Sequence, residues 1–187
     1  MKNRRNRNRK QNQNQAQTIT VCALFTAFTA ICSQIQIPIP PIPINLGLLA
    51  VFLAGALLGA KYGACSILVY VLLGAVGVPV FVGMKGGLAT LTGATGGYII
   101  GYVACAWITG FIIKRVKNKF YLVAGAMALG LAVCYAFGTI WYMYISGNPL
   151  HVALGYCVLP FLPGDAGKII VAIILTKRLR KIIEEFL

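Results

Sequence analysis

Residues 46–78 read LGLLAVFLAGALLGAKYGACSILVYVLLGAVGV, a run with one charge, Lys61, and no proline. A helix this apolar has no polar face to turn toward water, so it needs an apolar surround on every side. The bilayer supplies one. Gly59, Ala60, Lys61 and Tyr62 are the only interruption. They predict two helices, 46–60 and 62–78, folded into a tight antiparallel pair. A crossing takes about 20 apolar residues, and the first of these helices is short for that.

The remainder of the chain has the same character. Of 187 residues, 59% are hydrophobic and 11% are charged, and Asp165, Glu184 and Glu185 are the only acids. A soluble domain carries charge on about a quarter of its residues. Further spans are predicted at 18–35, 94–113, 120–146 and 156–178, making an all-α membrane protein of six transmembrane helices. Residues 1–17 form a basic head, which no polar mature domain follows as it would a cleaved signal peptide. Residues 18–187 form a single domain.

The net charge of +14 invites a nucleic-acid reading, and the placement of the charges excludes it. Lys2, Arg4, Arg5, Arg7, Arg9 and Lys10 lie in a head rich in Asn and Gln, without the interleaved aromatics of an RNA-binding arm. Lys114, Arg115, Lys117 and Lys119 form a short turn, and Lys177, Arg178, Arg180 and Lys181 stand near the C-terminus. Six crossings bring these clusters and Lys61 to one side. Basic loops mark the cytoplasmic face, so both termini of this inner-membrane type of protein are expected in the cytoplasm. Only Lys85 and Lys168 fall outside the pattern.

On the opposite face two connections are unusual. Pro38, Pro40, Pro41 and Pro43 make 36–45 a stiff, extended segment. Residues 79–97 hold Pro79 and Gly83, Gly86, Gly87, Gly93, Gly96 and Gly97. Irregular backbone at membrane depth must be buried in protein or line a cavity. Two such loops on one face suggest a site open to the outside.

Asp165, the only aspartate, lies in FLPGDAGKIIVAIIL with Lys168 three residues on. Pro163 and Gly164 can start the helix, which leaves Asp165 in its first turn. At about 100° per residue the two side chains lie about 60° apart on one face. A charge at membrane depth costs about 2.5–3.5 kcal/mol, so it faces a cavity or a partner. The pair is either structural or an acceptor and donor for a polar ligand, and Lys85 adds a cation on the same side. Ala23 and Ala27, with Ala30, put small residues on one stripe of the first helix, as close helix packing requires.

No phosphate-binding GxxxxGK[ST] loop occurs, so the chain is not expected to hydrolyse ATP. Cys22, Cys32, Cys65, Cys105, Cys134 and Cys157 show no metal spacing and read as small buried hydrophobes. His151 stands alone in a loop. Neither a metal, nor a cofactor, nor an enzymatic activity is expected.

PIPPIPINLGLLAVFLAGALLG, GVPVFVGMKGGLATLTGATGGYIIGY and FLPGDAGKII together resemble the BioY family, biotin-specific S components of energy-coupling factor (ECF) transporters. The resemblance covers residues 20–180. It implies an S-component bundle with a vitamin pocket near the extracytoplasmic face, closed by the loops after the first and third helices. It further implies that Asp165, Lys168 and Lys85 contact biotin's polar groups, with Gly86 and Gly87 letting the loop pass close to the vitamin. Phe81 and Tyr98 would pack on its rings, with Asn45 at the first loop. Ala23 and Ala27 would dock on a transmembrane coupling subunit, and two separate ATPase subunits would energise transport. This chain has Asn45-Leu46-Gly47 where many relatives read Thr-Leu-Gln, and Ala94 where they often have proline. Lys85 would suit the carboxylate of biotin or of lipoate. An S component for another vitamin, such as lipoate, thiamine or riboflavin, and a membrane scaffold with a structural Asp165–Lys168 pair are the alternatives.

Overall fold

The apolar runs form helix, and the first of these helices extends back beyond the expected 18–35 through the polar residues of the basic head to Lys2. The computed structural model describes residues 2–38, 42–116 and 119–186, with side chains described from Gln15 to Ile183. Ile39, Pro40 and Pro41 of the proline segment and Lys117 of the basic turn lie outside the described residues, as do the side chains of the basic head and of Glu184 and Glu185. Seven helices follow in order: α1 (Lys2–Gln34), α2 (Gly47–Ala75), α3 (Leu88–Thr92), α4 (Gly96–Arg115), α5 (Phe120–Ser146), α6 (Leu150–Cys157) and α7 (Leu162–Phe186). Two short strands, β1 (Gln36–Ile37) and β2 (Ile44–Asn45), pair antiparallel and close the proline segment into a ribbon.

The predicted pair at 46–60 and 62–78 is α2, and its chain reverses at Gly59. There φ is +77° and ψ is −179°, a combination open almost only to glycine. Residues eight apart in a continuous helix stand about 12 Å from each other. A β-carbon on Gly63 would instead meet the Gly55 Cα at 3.0 Å and the Ala54 carbonyl oxygen at 2.6 Å. The two arms of α2 therefore lie side by side. The tip of this hairpin rests on α4, where a β-carbon on Gly110 would stand 2.7 Å from the Gly55 carbonyl oxygen. Small residues let these backbones meet where no hydrophobic force drives helices together.

α1 packs against the same hairpin through Val21, Phe25, Thr29 and Cys32, all buried. Thr26 donates to the Ser66 carbonyl at 2.9 Å and Ser33 shares a 3.0 Å bond with the Tyr70 hydroxyl. Buried hydroxyls also turn back on their own helices, as Thr29 does to the Phe25 carbonyl at 2.7 Å. Large apolar side chains cover the outside instead: Leu24, Ile31, Leu72, Ile140 and Ile170 are all exposed, as lipid contact demands.

Three expectations need correction. The last span is not one helix over 156–178: α6 and α7 meet at a break with a bend of 49°. Pro160 explains it, because proline has no N–H to continue the helix and disfavours helical backbone at Leu159. His151 lies on α6, exposed, and not in a loop. The glycine-rich loop contains a helical turn of its own, α3. Among the described residues, four helices are long and apolar enough to cross a membrane, and α6 with α7 makes a fifth candidate.

Basic residues gather at one end of the bundle. Lys114 and Arg115 end α4, and the Lys177 ammonium sits 5.5 Å from the Phe120 ring at the start of α5. The hairpin tip beside Lys61 lies against Gly110 at this same end. Tyr98 and Asp165, on the first turns of α4 and α7, belong to the other end.

Candidate functional site

A cavity opens at that other end, between the proline ribbon, the glycine-rich loop and the starts of α4 and α7. Proline and glycine build its rim because both loops must leave helix to cover the bundle.

Its inner wall carries the ion pair. Lys168 Nζ donates to Asp165 Oδ1 at 2.7 Å, with Asp165 2% exposed and Lys168 8%. Tyr135, from the middle of α5, donates its hydroxyl to Asp165 Oδ2 at 2.5 Å. Each carboxylate oxygen keeps a second lone pair. Lys168 has two further N–H donors and no other partner among the described residues. Such a charge is tolerable at depth because it is paired and hydrogen-bonded.

The side walls are aromatic. Tyr98 stacks on Phe161 with centroids 6.4 Å apart and meets Tyr135 edge-on at 6.5 Å. Its hydroxyl donates to the Cys157 carbonyl at 2.6 Å, at the broken end of α6. Gly138 makes this packing possible, because a β-carbon there would run into the Tyr98 ring. Tyr102, one turn beyond Tyr98, reaches Asn45 Oδ1 at 3.4 Å, and that same oxygen accepts from the Gly47 N–H at 2.7 Å. Asn45 thus ties β2 to α4 and accepts the first N–H of α2.

Phe81 and Lys85 close the mouth. They form an isolated antiparallel bridge, and the Phe81 ring sits edge-on to Tyr70 at 5.6 Å. Lys85 is exposed, and its ammonium has no partner among the described residues. Six sequence-derived candidates, Asp165, Lys168, Lys85, Phe81, Tyr98 and Asn45, therefore share one cavity wall. Gly86 and Gly87 are not on it. A β-carbon on Gly86 would stand 2.5 Å from the Val78 carbonyl oxygen, and the Gly87 N–H donates to Gly74 at 2.7 Å. Their close approach seats the loop on the end of α2. Ala23 and Ala27 lie away from the cavity, exposed on the outer face of α1.

Sequence reasoning passed over Tyr135, Tyr102, Tyr70 and Phe161. The four-residue spacing of Tyr98 and Tyr102 was a readable sign of a shared face. Tyr135 carried no local signal, since its partner stands thirty residues away.

Fold and cavity together define a polytopic helical membrane protein with a small-molecule pocket at one end of its bundle. The BioY family profile matches residues 4–185. A Pyrococcus horikoshii protein named "Probable biotin transporter BioY" is 41% identical over 158 residues, 84% of this chain and 93% of that protein. The biotin transporter BioY of Thermotoga maritima is 36% identical over 160 residues, 85% of this chain and 93% of its own. Among solved structures, the S-component for biotin from an ECF-type ABC transporter matches with a TM-score of 0.86 and 34% identity, covering 91% of this chain and 94% of that one. The chain belongs to the BioY family, and it is a multi-pass protein of the cytoplasmic membrane.

Proposed function

We propose that this chain is the biotin-capturing S component of an ECF transporter. The observation that carries the reading is the buried Asp165–Lys168 pair on the wall of a loop-capped cavity with a free ammonium, Lys85, at its mouth. Biotin offers complementary groups. Its ureido N–H groups are donors for Asp165, its ureido oxygen an acceptor for Lys168, and its carboxylate a partner for Lys85. Tyr98 and Phe81 supply apolar surface for the rings. Lipoate has a carboxylate but no ureido donors, so it would leave Asp165 without a ligand partner, and sites built for hydrogen bonds discriminate strongly against such analogues.

The reversal at Gly59 adds a crossing to the five candidate spans, giving six, with residues 1–17 and the C-terminus on the cytoplasmic side. The basic end of the bundle supports that orientation. Residues 18–187 then act as one domain. Its exposed Ala23 and Ala27 would meet the transmembrane coupling subunit, and two ATPase subunits would supply the energy.

Calorimetric titration of ligand-free protein with biotin, lipoate and thiamine tests the reading. Saturable one-to-one binding of biotin alone is expected, lost at least about a hundredfold in Asp165→Asn with the helical circular dichroism retained. Biotin binding that persists unchanged in Asp165→Asn would make the pair structural. Silence across the panel would favour a scaffold.

A further inference from the structure

One side chain of α1 holds the loop that brings Phe81 and Lys85 to the mouth of the cavity. Gln34, at the last position of α1, donates from Nε2 to the carbonyls of Val80 and Phe81, both at 3.1 Å. Its Oε1 accepts from the Met84 N–H at 2.9 Å. Both ends of the amide are therefore committed to one short turn, while its bond within α1, to the Ala30 carbonyl, is the longest at 3.4 Å.

The turn needs this support. Phe81 and Lys85 exchange backbone bonds of 2.9 and 3.3 Å across it, and to close it Met84 adopts φ of +56°. Side chains other than glycine rarely take that left-handed conformation, and it persists only where neighbours impose it. The base of the loop is fixed separately, through Gly86 and Gly87 against Gly74, Gly77 and Val78 of the α2 end. Among the described residues, the hydrogen bonds from the tip, 80–84, to other elements all run through Gln34.

We propose that Gln34 is a positioning residue for ligand capture, latching the loop tip over the cavity so that Phe81 and Lys85 stay on its wall until three hydrogen bonds break. The inference rests on the biotin-capture reading and adds the element that controls release. Opening the mouth moves the Phe81 ring off Tyr70 and returns two carbonyls and one N–H to water. Without the Gln34 amide those groups have lost their partner already, so opening is easier and the ligand leaves sooner. Encounter is not slowed, because the ligand enters through the same open tip, which the loss of the latch can only populate further. The latch also joins the mouth to α1, the helix whose outer face carries Ala23 and Ala27.

Release of radiolabelled biotin from the full-length protein, in detergent, tests this alongside hydrogen exchange of the ligand-free protein. Gln34→Met keeps the length of the side chain and removes all its bonds to the turn. It is expected to release biotin at least about tenfold faster, with an association rate no slower than that of the wild type. Exchange at the Met84 amide should accelerate while that of α4 and α5 stays as in the wild type. Gln34→Glu retains an acceptor for Met84 but turns an oxygen toward two carbonyls, so it should release at least as fast, and it stands in should Gln34→Met fail to fold. Wild-type release rates in both variants, with Met84 exchange unchanged, would overturn the latch. A wild-type protein that binds no biotin would instead overturn the capture reading, and the exchange at Met84 would then decide the latch by itself.

Discussion

Asp165 is gripped from two helices, by Lys168 on its own and by Tyr135 on α5. The two grips differ in kind. Removing the ammonium in Lys168→Ala leaves a buried carboxylate without a countercharge, at a cost of about 3–5 kcal/mol. Removing the hydroxyl in Tyr135→Phe deprives one oxygen of a donor, at about 1–3 kcal/mol. Thermal melting of the ligand-free variants should therefore rank Lys168→Ala below Tyr135→Phe, with both below wild type. In calorimetry, Tyr135→Phe should weaken biotin binding by about tenfold or more, because the carboxylate proposed to receive the ureido group is no longer held in place. Gly138→Ala reaches the same wall by another route. Its methyl group enters the space of the Tyr98 ring, and displacing that ring should destabilise the fold by about 1–3 kcal/mol and reduce affinity together. Equal melting temperature and affinity to wild type would mean that the ring adjusts freely and does not shape the site.

At the scale of the element, backbone conformation separates two glycines with equal space around them. Neither Gly59 nor Gly125 would meet any atom within 4 Å on gaining a β-carbon. Gly59 sits at φ +77°, ψ −179° in the α2 reversal, whereas Gly125 lies inside α5. Gly59→Ala should therefore lose about 1–3 kcal/mol from strain alone. Gly125→Ala should gain about 0.5–1 kcal/mol because alanine gives up less freedom on entering a helix. Melting of both variants checks the contrast, and equal shifts would refute the hairpin geometry. The spacing of Gly59 and Lys61 within an apolar run was enough to read this hairpin from the chain. The break between α6 and α7 is harder to place from the chain: Pro160 and Pro163 stand three residues apart, and a span over 156–178 runs across both. The structure puts the break around Pro160 and leaves Pro163 in the first turn of α7, and the Tyr98 hydroxyl donates to the Cys157 carbonyl that the broken helix leaves open.

For the whole molecule, the end of the bundle rich in lysine and arginine lies away from the cavity. Reporter fusions at the two termini should both report the cytoplasm, and an outside location for either would remove the six-crossing topology. Docking should be separable from capture, because Ala27 is exposed on α1 and touches no wall of the cavity. Ala27→Trp is expected to abolish co-purification with the coupling subunit and leave biotin affinity at its wild-type value in calorimetry. Loss of both together would place the ligand site and α1 under a tighter mechanical link than Gln34 alone provides.

The amino-acid order by itself determined that this is a helical membrane protein, where its apolar segments lie, and which charges are out of place within them. Those properties follow from local composition, since each helix must satisfy its own backbone and turn apolar side chains to lipid. The out-of-place charges Asp165, Lys168 and Lys85 were legible for the same reason. Only the tertiary structure decided that Tyr135 completes the Asp165 cluster, that Gly86 and Gly87 seat their loop on the end of α2, and that Gln34 holds the tip of that loop. Each depends on which helices become neighbours, and hydrogen bonds that span thirty to fifty residues leave no periodicity in the chain to announce them.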